Sequence, residues 1–429
     1  MTPPGRRRIF YGYYLVAVTF IILVLFSGCG VFAFSLFVRP LEASLGWGRG
    51  QVMAGFTLFY LMVGMASPVA GRFVDRYGAR PVIPVGAAIM GLGFVLVSRV
   101  SDLYLFYIGY VIVGIGAAAM SLVPCSAVVS NWFKRKRGTA LGLMAGGIGA
   151  GGVAMAPFVG YILAHFDFRA AYLAMGMLIM AVTIPLSLLV IRTRPAEMGL
   201  YPDGDNAPVG EAPDETREGG EKQGFSLRQA LSTRTFWFIA VAFALSNFAN
   251  MGTIQSAAPF LEDIGYPTVT AASALGAIGL GSGAGKVFFG WMCDRIRANR
   301  ACAIGIALQL AGVLLLLTVH SSSPFVAVWF YALLLGLGVG AWLPTLSMLA
   351  SVNFGLLFYG AVFGALNMAQ SMGTATGPLF SGMMFDATGS YVTAFTIAAV
   401  LLTVSIPAIL LVKRPGNTGT PYSNRSDNL

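Results

Sequence analysis

The chain has 429 residues, of which 57% are hydrophobic and 10% charged, and its mean hydropathy is +0.76. Soluble proteins carry about 25% charged residues, so a water-soluble fold is excluded and lipid is the solvent to reason with. The formal charge of +10 does not point to nucleic acid, because in a membrane protein the placement of charge matters more than its sum.

Apolar runs near or above about 18 residues recur along the whole length, each enough to cross a hydrocarbon core of about 30 Å as a helix. Strand-like alternation is absent, and lipid demands that each backbone group be satisfied within its element, so helices win over a β-barrel. The expected fold is an all-α membrane protein with 12 transmembrane helices in two six-helix halves. In chain order the predicted helices cover 11–38, 51–71, 80–100, 103–130, 137–164, 170–192, 233–260, 270–293, 300–319, 324–350, 357–384 and 390–413. The halves are residues 1–192 and 233–429. Residues 193–232 between them hold Pro, Gly and a run of acids, Asp203, Asp205, Asp214, Glu215, Glu218 and Glu221, and read as a solvated cytoplasmic linker.

The first helix follows Arg6–Arg8 and contains Phe26-Ser27-Gly28-Cys29, the outline of a signal peptide with a lipoprotein-type cleavage site. The apolar run continues past Cys29 to Val38, which favours a spanning helix. With the N-terminus in the cytoplasm, the inner stretches hold Arg72, Arg76, Arg80, Lys134–Arg137, Arg192, Arg194, Arg228, Arg234, Arg295, Arg297, Arg300, Lys413 and Arg414. The outer stretches hold only Arg39, Arg49, Arg99 and Arg169. The positive-inside rule then places both termini in the cytoplasm of a multi-pass protein of the cell (inner) membrane. Cys29, Cys125, Cys293 and Cys302 lack metal-ligand spacing, so neither a disulfide framework nor a metal site is expected, and no cofactor is implied.

The halves repeat. Shifted by 222 residues, Asn131-Trp132 falls on Asn353-Phe354, and Gly138, Gly142, Gly151 and Gly160 fall on Gly360, Gly364, Gly373 and Gly382. A parallel repeat of six helices is a transporter architecture with its site between the halves. The series Gly146, Gly147, Gly149, Gly151 and Gly152 permits close helix approach; lying in an apolar span without a Lys-Ser/Thr ending, it is no phosphate loop.

Between helices two and three, Gly71-Arg72-Phe73-Val74-Asp75-Arg76-Tyr77-Gly78-Ala79-Arg80 matches the G-x-x-x-D-R-x-G-x-R loop of the major facilitator superfamily, which the chain resembles over essentially its whole length. Gly290-Trp291-Met292-Cys293-Asp294-Arg295 sits where that family has its second copy. The resemblance implies a gating role for Asp75, Arg76, Arg80, Asp294 and Arg295, since an Asp at a helix end can pair with a neighbouring Arg in one conformation and release it in the other.

Within the family, the chain looks most like the monocarboxylate-porter and oxalate/formate-exchanger branch. The residues that carry this are Gly114-x-Gly116, Pro124, Asn131-Trp132-Phe133, Arg137-Gly138 and Gly285-Lys286-Val287-Phe288-Phe289-Gly290. That branch usually has Arg where this chain has Lys286. Its proton-coupled lactate carriers place an Asp one turn earlier, where this chain has Ser282.

Lys286 is the only charge deep inside a predicted span, roughly 12 Å along the axis from Asp294. A central Lys costs about 2.5–3.5 kcal/mol to insert, and no acid or His in any predicted span compensates it. An unpaired buried cation stays charged only where an anion or water reaches it, which a substrate carboxylate would supply. Asn367, Gln370, Ser371 and Thr374 fall at i, i+3, i+4 and i+7, a polar stripe on one face of helix eleven. Asn247 and Asn250 form a similar pair in helix seven. Lys286, Asn367, Gln370, Asn247, Asn250 and Ser282 are therefore the expected substrate contacts, with Phe34 and Trp342 as cavity walls.

The expected function is proton-coupled uptake of a short monocarboxylate such as lactate or pyruvate by alternating access. Lys286 would bind the anion and could itself carry the proton. Anion exchange, drug efflux and a membrane anion sensor are the alternatives. Gly152-x-x-x-Ala156-Pro157-x-x-Gly160 partly resembles the helix-five motif of drug/proton antiporters. No nucleophile–base pair or metal cluster supports an enzyme.

Overall fold

A computed structural model of the chain describes residues 10–133, 137–201, 203, 225–321, 323–355 and 359–412. Arg6–Arg8, Lys134–Lys136, linker residues 204–224, Lys413 and Arg414 lie outside the described residues, as does the side chain of Asp75.

Sixteen α-helices follow in order among the described residues: α1 (Tyr11–Ser27), α2 (Phe34–Leu45), α3 (Arg49–Tyr77), α4 (Ala79–Val97), α5 (Leu103–Met120), α6 (Leu122–Trp132), α7 (Arg137–His165) and α8 (Phe168–Val190). After the linker come α9 (Leu227–Leu231), α10 (Arg234–Asp263), α11 (Thr268–Cys293), α12 (Ala298–Thr318), α13 (Phe325–Gly340), α14 (Trp342–Phe354), α15 (Tyr359–Thr388) and α16 (Val392–Leu410). Pairs of these make single spans. A π-helical segment, Gly28–Phe32, joins α1 to α2, and α5–α6 and α13–α14 are each one apolar span broken in the middle.

Eleven spans among the described residues are long and apolar enough to cross a membrane. The twelfth is α15, the helix that carries the polar stripe. The predicted spans agree with these to within a few residues except at the first, which runs to Leu45 rather than 38. The π segment absorbs the misfit there without ending the helix.

Local chemistry sets the boundaries. Asp102 and Asp167 accept from the backbone N–H groups of Leu105 and Ala170 at 2.9 and 2.8 Å, closing the N-termini of α5 and α8. Gly78, at φ 83°, makes the tight α3–α4 turn that residues with a Cβ resist. The breaks at Ser121 and Ala341 each stand three residues before a proline, Pro124 and Pro344. Neither proline has an N–H to bond the carbonyl four residues earlier, so the helix parts there.

The spans before and after the linker touch along two long seams, α7 against α11 and α3 against α15, with α2 against α10 between them. The first seam is backbone on backbone: a methyl on Gly149 would stand 2.8 Å from the Gly279 carbonyl oxygen and 2.9 Å from the Gly283 nitrogen. The expected glycine series divides its work, because Gly147 and Gly151 face α1 instead.

Polar ties between the two sets of spans lie toward the end that carries Arg49. Thr57 Oγ1 donates to the Ala375 carbonyl at 2.6 Å, Gln255 Nε2 to the Val31 carbonyl at 3.0 Å, and Ser35 Oγ to the Gln255 carbonyl at 2.8 Å. At the rim Arg49, 3% exposed, meets Asp263 bidentately at 2.5 and 2.8 Å and Glu42 at 2.8 Å. Its guanidinium lies 3.7 Å from the centre of the Phe385 ring. Asp386 caps the start of α3 from another helix, accepting from the Arg49 and Gly50 N–H groups at 2.8 Å each. Arg39 adds a pair to Asp263 at 3.3 Å.

Candidate functional site

Lys286 stands on α11 seven residues before Cys293, about 11 Å from that end of the helix, and one turn beyond the Gly149–Gly279–Gly283 seam on the side away from Arg49. It is half-buried, and among the described residues no hydrogen bond or ion pair reaches its ammonium. The helix before it does carry a buried acid that the predicted span 233–260 stopped short of. Glu262, 8% exposed, sits in the last turn of α10 at the far rim, where it pairs with Arg39 at 4.0 Å rather than with Lys286.

The backbone around Lys286 is held by the broken span. A methyl on Gly340 would stand 2.6 Å from the Lys286 nitrogen, the Ser282 carbonyl oxygen and the Gly285 Cα. The last turn of α13 thus presses its carbonyl end, the negative end of the helix dipole, against the segment that carries the cation. Sequence reasoning missed this. The signal was the alternation Gly336-Leu337-Gly338-Val339-Gly340 immediately before Ala341-Trp342-Leu343-Pro344. Gly340→Ala is expected to overpack this contact, costing about 1–3 kcal/mol and weakening anion binding; a thermal melt together with the uptake KM checks both.

Counted along their helices, Asn247, Asn250, Gln370 and Ala341 fall at about the same depth as Lys286, roughly 20–27 Å from the Arg49 end. Gln370 is 7% exposed, and its Oε1 has no hydrogen-bond partner; neither has Asn250 Oδ1. A buried amide without a partner costs free energy, and a polar ligand would supply one. Asn367 is half-buried. Asn247 donates to the Phe243 carbonyl at 2.9 Å, so part of its capacity is spent on its own helix. Ser371 and Thr374, the rest of the stripe, donate to the carbonyls of Asn367 and Gln370 at 2.8 and 3.2 Å. Ser282 is buried at the contact with Gly340.

The two aromatic residues differ. Trp342 lines a small cleft of about 10 Å³, room for a single water, with Phe243, Ser246, Gln309, Ala341 and Thr345. Phe34, expected as a cavity wall, is instead 1% exposed and packs on Phe56 and Tyr110, ring centroids 5.0 and 5.4 Å apart.

At the end opposite Arg49, the residues expected to gate are not paired with acids among the described residues. Arg76 lies over the Tyr77 ring and Arg295 over the Trp291 ring, at 5.2 and 4.3 Å. Arg80 donates to the Leu188 carbonyl at 3.2 and 3.1 Å, tying α4 to α8. Asp294 has no ion-pair partner among the described residues, and no group of His, Cys and acidic side chains among them could hold a metal.

Comparison with known proteins agrees with this architecture. Monocarboxylate transporter 11 of Homo sapiens is 28% identical over 79% of this chain and 69% of its own length. The oxalate:formate antiporter of Oxalobacter formigenes is 25% identical over 92% of this chain and 91% of its own. Among solved structures, the nucleoside transporter NupG superposes with a TM-score of 0.74 at 11% identity, over 94% of this chain and 99% of that one. A bacterial homolog of the human lysosomal transporter Spinster gives 0.68 at 17% identity, over 95% and 96%. These structural likenesses concern the fold. The profile of the Major Facilitator Superfamily matches residues 18–373; the chain therefore belongs to the Major Facilitator Superfamily and is a membrane transporter, not an enzyme.

Proposed function

We propose that the chain takes up a short monocarboxylate, lactate- or pyruvate-like, together with a proton, by alternating access between residues 1–192 and 233–429. The observation that carries the reading is Lys286: a half-buried ammonium without a partner among the described residues, one turn beyond the glycine seam on the side away from Arg49. Its counter-charge is the substrate carboxylate, with Gln370, Asn250 and Asn367 as neutral groups that orient the rest of a small anion. With both termini in the cytoplasm, as the arginine asymmetry favours, the rim around Arg49 faces outward. The conformation described is then one held together at its outer rim. Asp75, Arg76, Arg80, Asp294 and Arg295 gate that inner end, pairing when it closes.

The test is uptake of radiolabelled L-lactate into proteoliposomes, with and without an inward proton gradient. Uptake that concentrates lactate only with the gradient is expected. Uptake that moves net negative charge and ignores the gradient sinks the proton-coupled reading. The absence of any acid beside Lys286 among the described residues favours anion exchange as the second reading, since exchange needs a cation in the site but no proton carrier. Counterflow of labelled oxalate or lactate against a trapped anion, in the absence of any gradient, separates the two.

A further inference from the structure

We propose that Gln309 is a positioning residue for Lys286, acting through the break between α13 and α14. Gln309 lies on α12 and is 4% exposed. Its Nε2 donates to the Gly338 carbonyl at 3.0 Å, and its Oε1 accepts from Ser246 Oγ on α10 at 3.1 Å. A carbonyl can only accept, so the chemistry itself fixes which way round the amide sits.

The Gly338 carbonyl belongs to the last turn of α13, where the helix loses its regular bonding. It takes a tightened bond from the Ala341 N–H at 3.1 Å, and Pro344, three residues further on, has no N–H to give the Gly340 carbonyl. Gln309 therefore supplies a side-chain donor where the broken helix is short of backbone donors.

Position is transmitted by contact. Gly338 faces α12, where a methyl on it would stand 2.7 Å from the Gln309 nitrogen and 2.8 Å from its Cγ. Gly340, two residues on, faces the opposite way and abuts the backbone of Ser282, Gly285 and Lys286. The end of α13 is thus wedged between α12 and α11, with a glycine, Gly338 on one side and Gly340 on the other, at each contact. A shift at Gln309 has nothing soft to dissipate in before it reaches Lys286. The Ser246–Gln309 pair borders the same small cleft as Trp342 and Thr345, and on that side the break is held by the Gln309 amide together with the backbone of Gly305.

This inference rests on the reading of Lys286 as the anion-binding group, and its test has one arm that needs no substrate. In the first arm Lys286→Cys is alkylated by a negatively charged maleimide, alone and combined with Gln309→Leu. The rate is expected to change by about fivefold or more when Gln309 is replaced, as the loss of one or two buried hydrogen bonds shifts the backbone under the thiol. In the second arm, with Lys286 restored, Gln309→Leu raises the KM for L-lactate by about tenfold while the saturating rate stays within about twofold. Ser246→Ala does the same more weakly. Gly340→Ala and Gln309→Leu act on one contact, so their effects on KM are less than additive.

A purely structural role would lower the amount of folded carrier and its saturating rate, leaving KM and the alkylation rate where they were; that result overturns the inference. An altered alkylation rate in a protein that does not transport lactate supports it and sends the substrate assignment back to the exchange assay.

Discussion

Lys286→Gln is expected to reduce the uptake efficiency for L-lactate by at least about thirtyfold, with the amount of folded protein unchanged. Removing one member of a buried, hydrogen-bonded charge pair costs about 2–5 kcal/mol, and here the surviving member is the substrate carboxylate, which binds elsewhere or not at all. Stability should not fall, because Lys286 makes no hydrogen bond or ion pair among the described residues, and a neutral side chain in a span is cheaper than a cation. Lys286→Arg keeps the charge but presents a planar fork in place of a compact ammonium. It is expected to retain transport with an altered preference among monocarboxylates. Parallel measurements of uptake and thermal stability decide the matter: uptake that survives Lys286→Gln removes the cation from the mechanism.

The second large effect is expected at the far rim. Arg49→Met should open the end that the structure shows closed, because it leaves Asp263 and Glu42 with an excess of negative charge and removes the bidentate pair, the ring contact with Phe385 and the anchor between α3 and α10. Breaking a buried pair from one side costs about 3–5 kcal/mol. A two-state equilibrium moves by a factor of roughly a hundred or more for that much energy. Distances between spin labels on the ends of α2 and α10 report the shift directly: a mainly short distance in the parent and a mainly long one in Arg49→Met. If the distribution does not move, the rim pairs are ornaments on a closure held elsewhere. Asp386→Asn is a milder probe of the same closure, since it weakens only the cap that α15 provides to α3.

The spans and the lone cation were legible in the sequence because both depend on one property, the cost of polarity in lipid, which any stretch of chain carries by itself. The rim was not. Arg39 and Arg49 were read only as two of four outer charges, and Glu262 fell two residues beyond a predicted span. Nothing local announces that Asp263 will reach Arg49 across 214 residues of chain. Phe34 illustrates the same limit in another form. Its place in a span was clear, but whether its ring turns to a cavity or to Phe56 and Tyr110 depends on the rotation of the helix, which an almost uniformly apolar segment does not encode. The break at Ala341 was half visible. Pro344 marks an unpaired carbonyl, but only the packing shows that Gly338 and Gly340 touch different neighbours.

The backbone-on-backbone seam between α7 and α11 bears on how fast such a protein can work. Interlocked side chains must disengage before either body can tilt, and each tooth adds to the barrier. At Gly149 and Gly279 there are no teeth. The two bodies meet there as an axle meets its bearing, a surface that can turn through small angles with little to repack. In the alternating-access cycle proposed above, friction is thereby moved outward to the charged clasp around Arg49, and the pace of turnover is then set at the rim while the middle of the membrane keeps the axis in place.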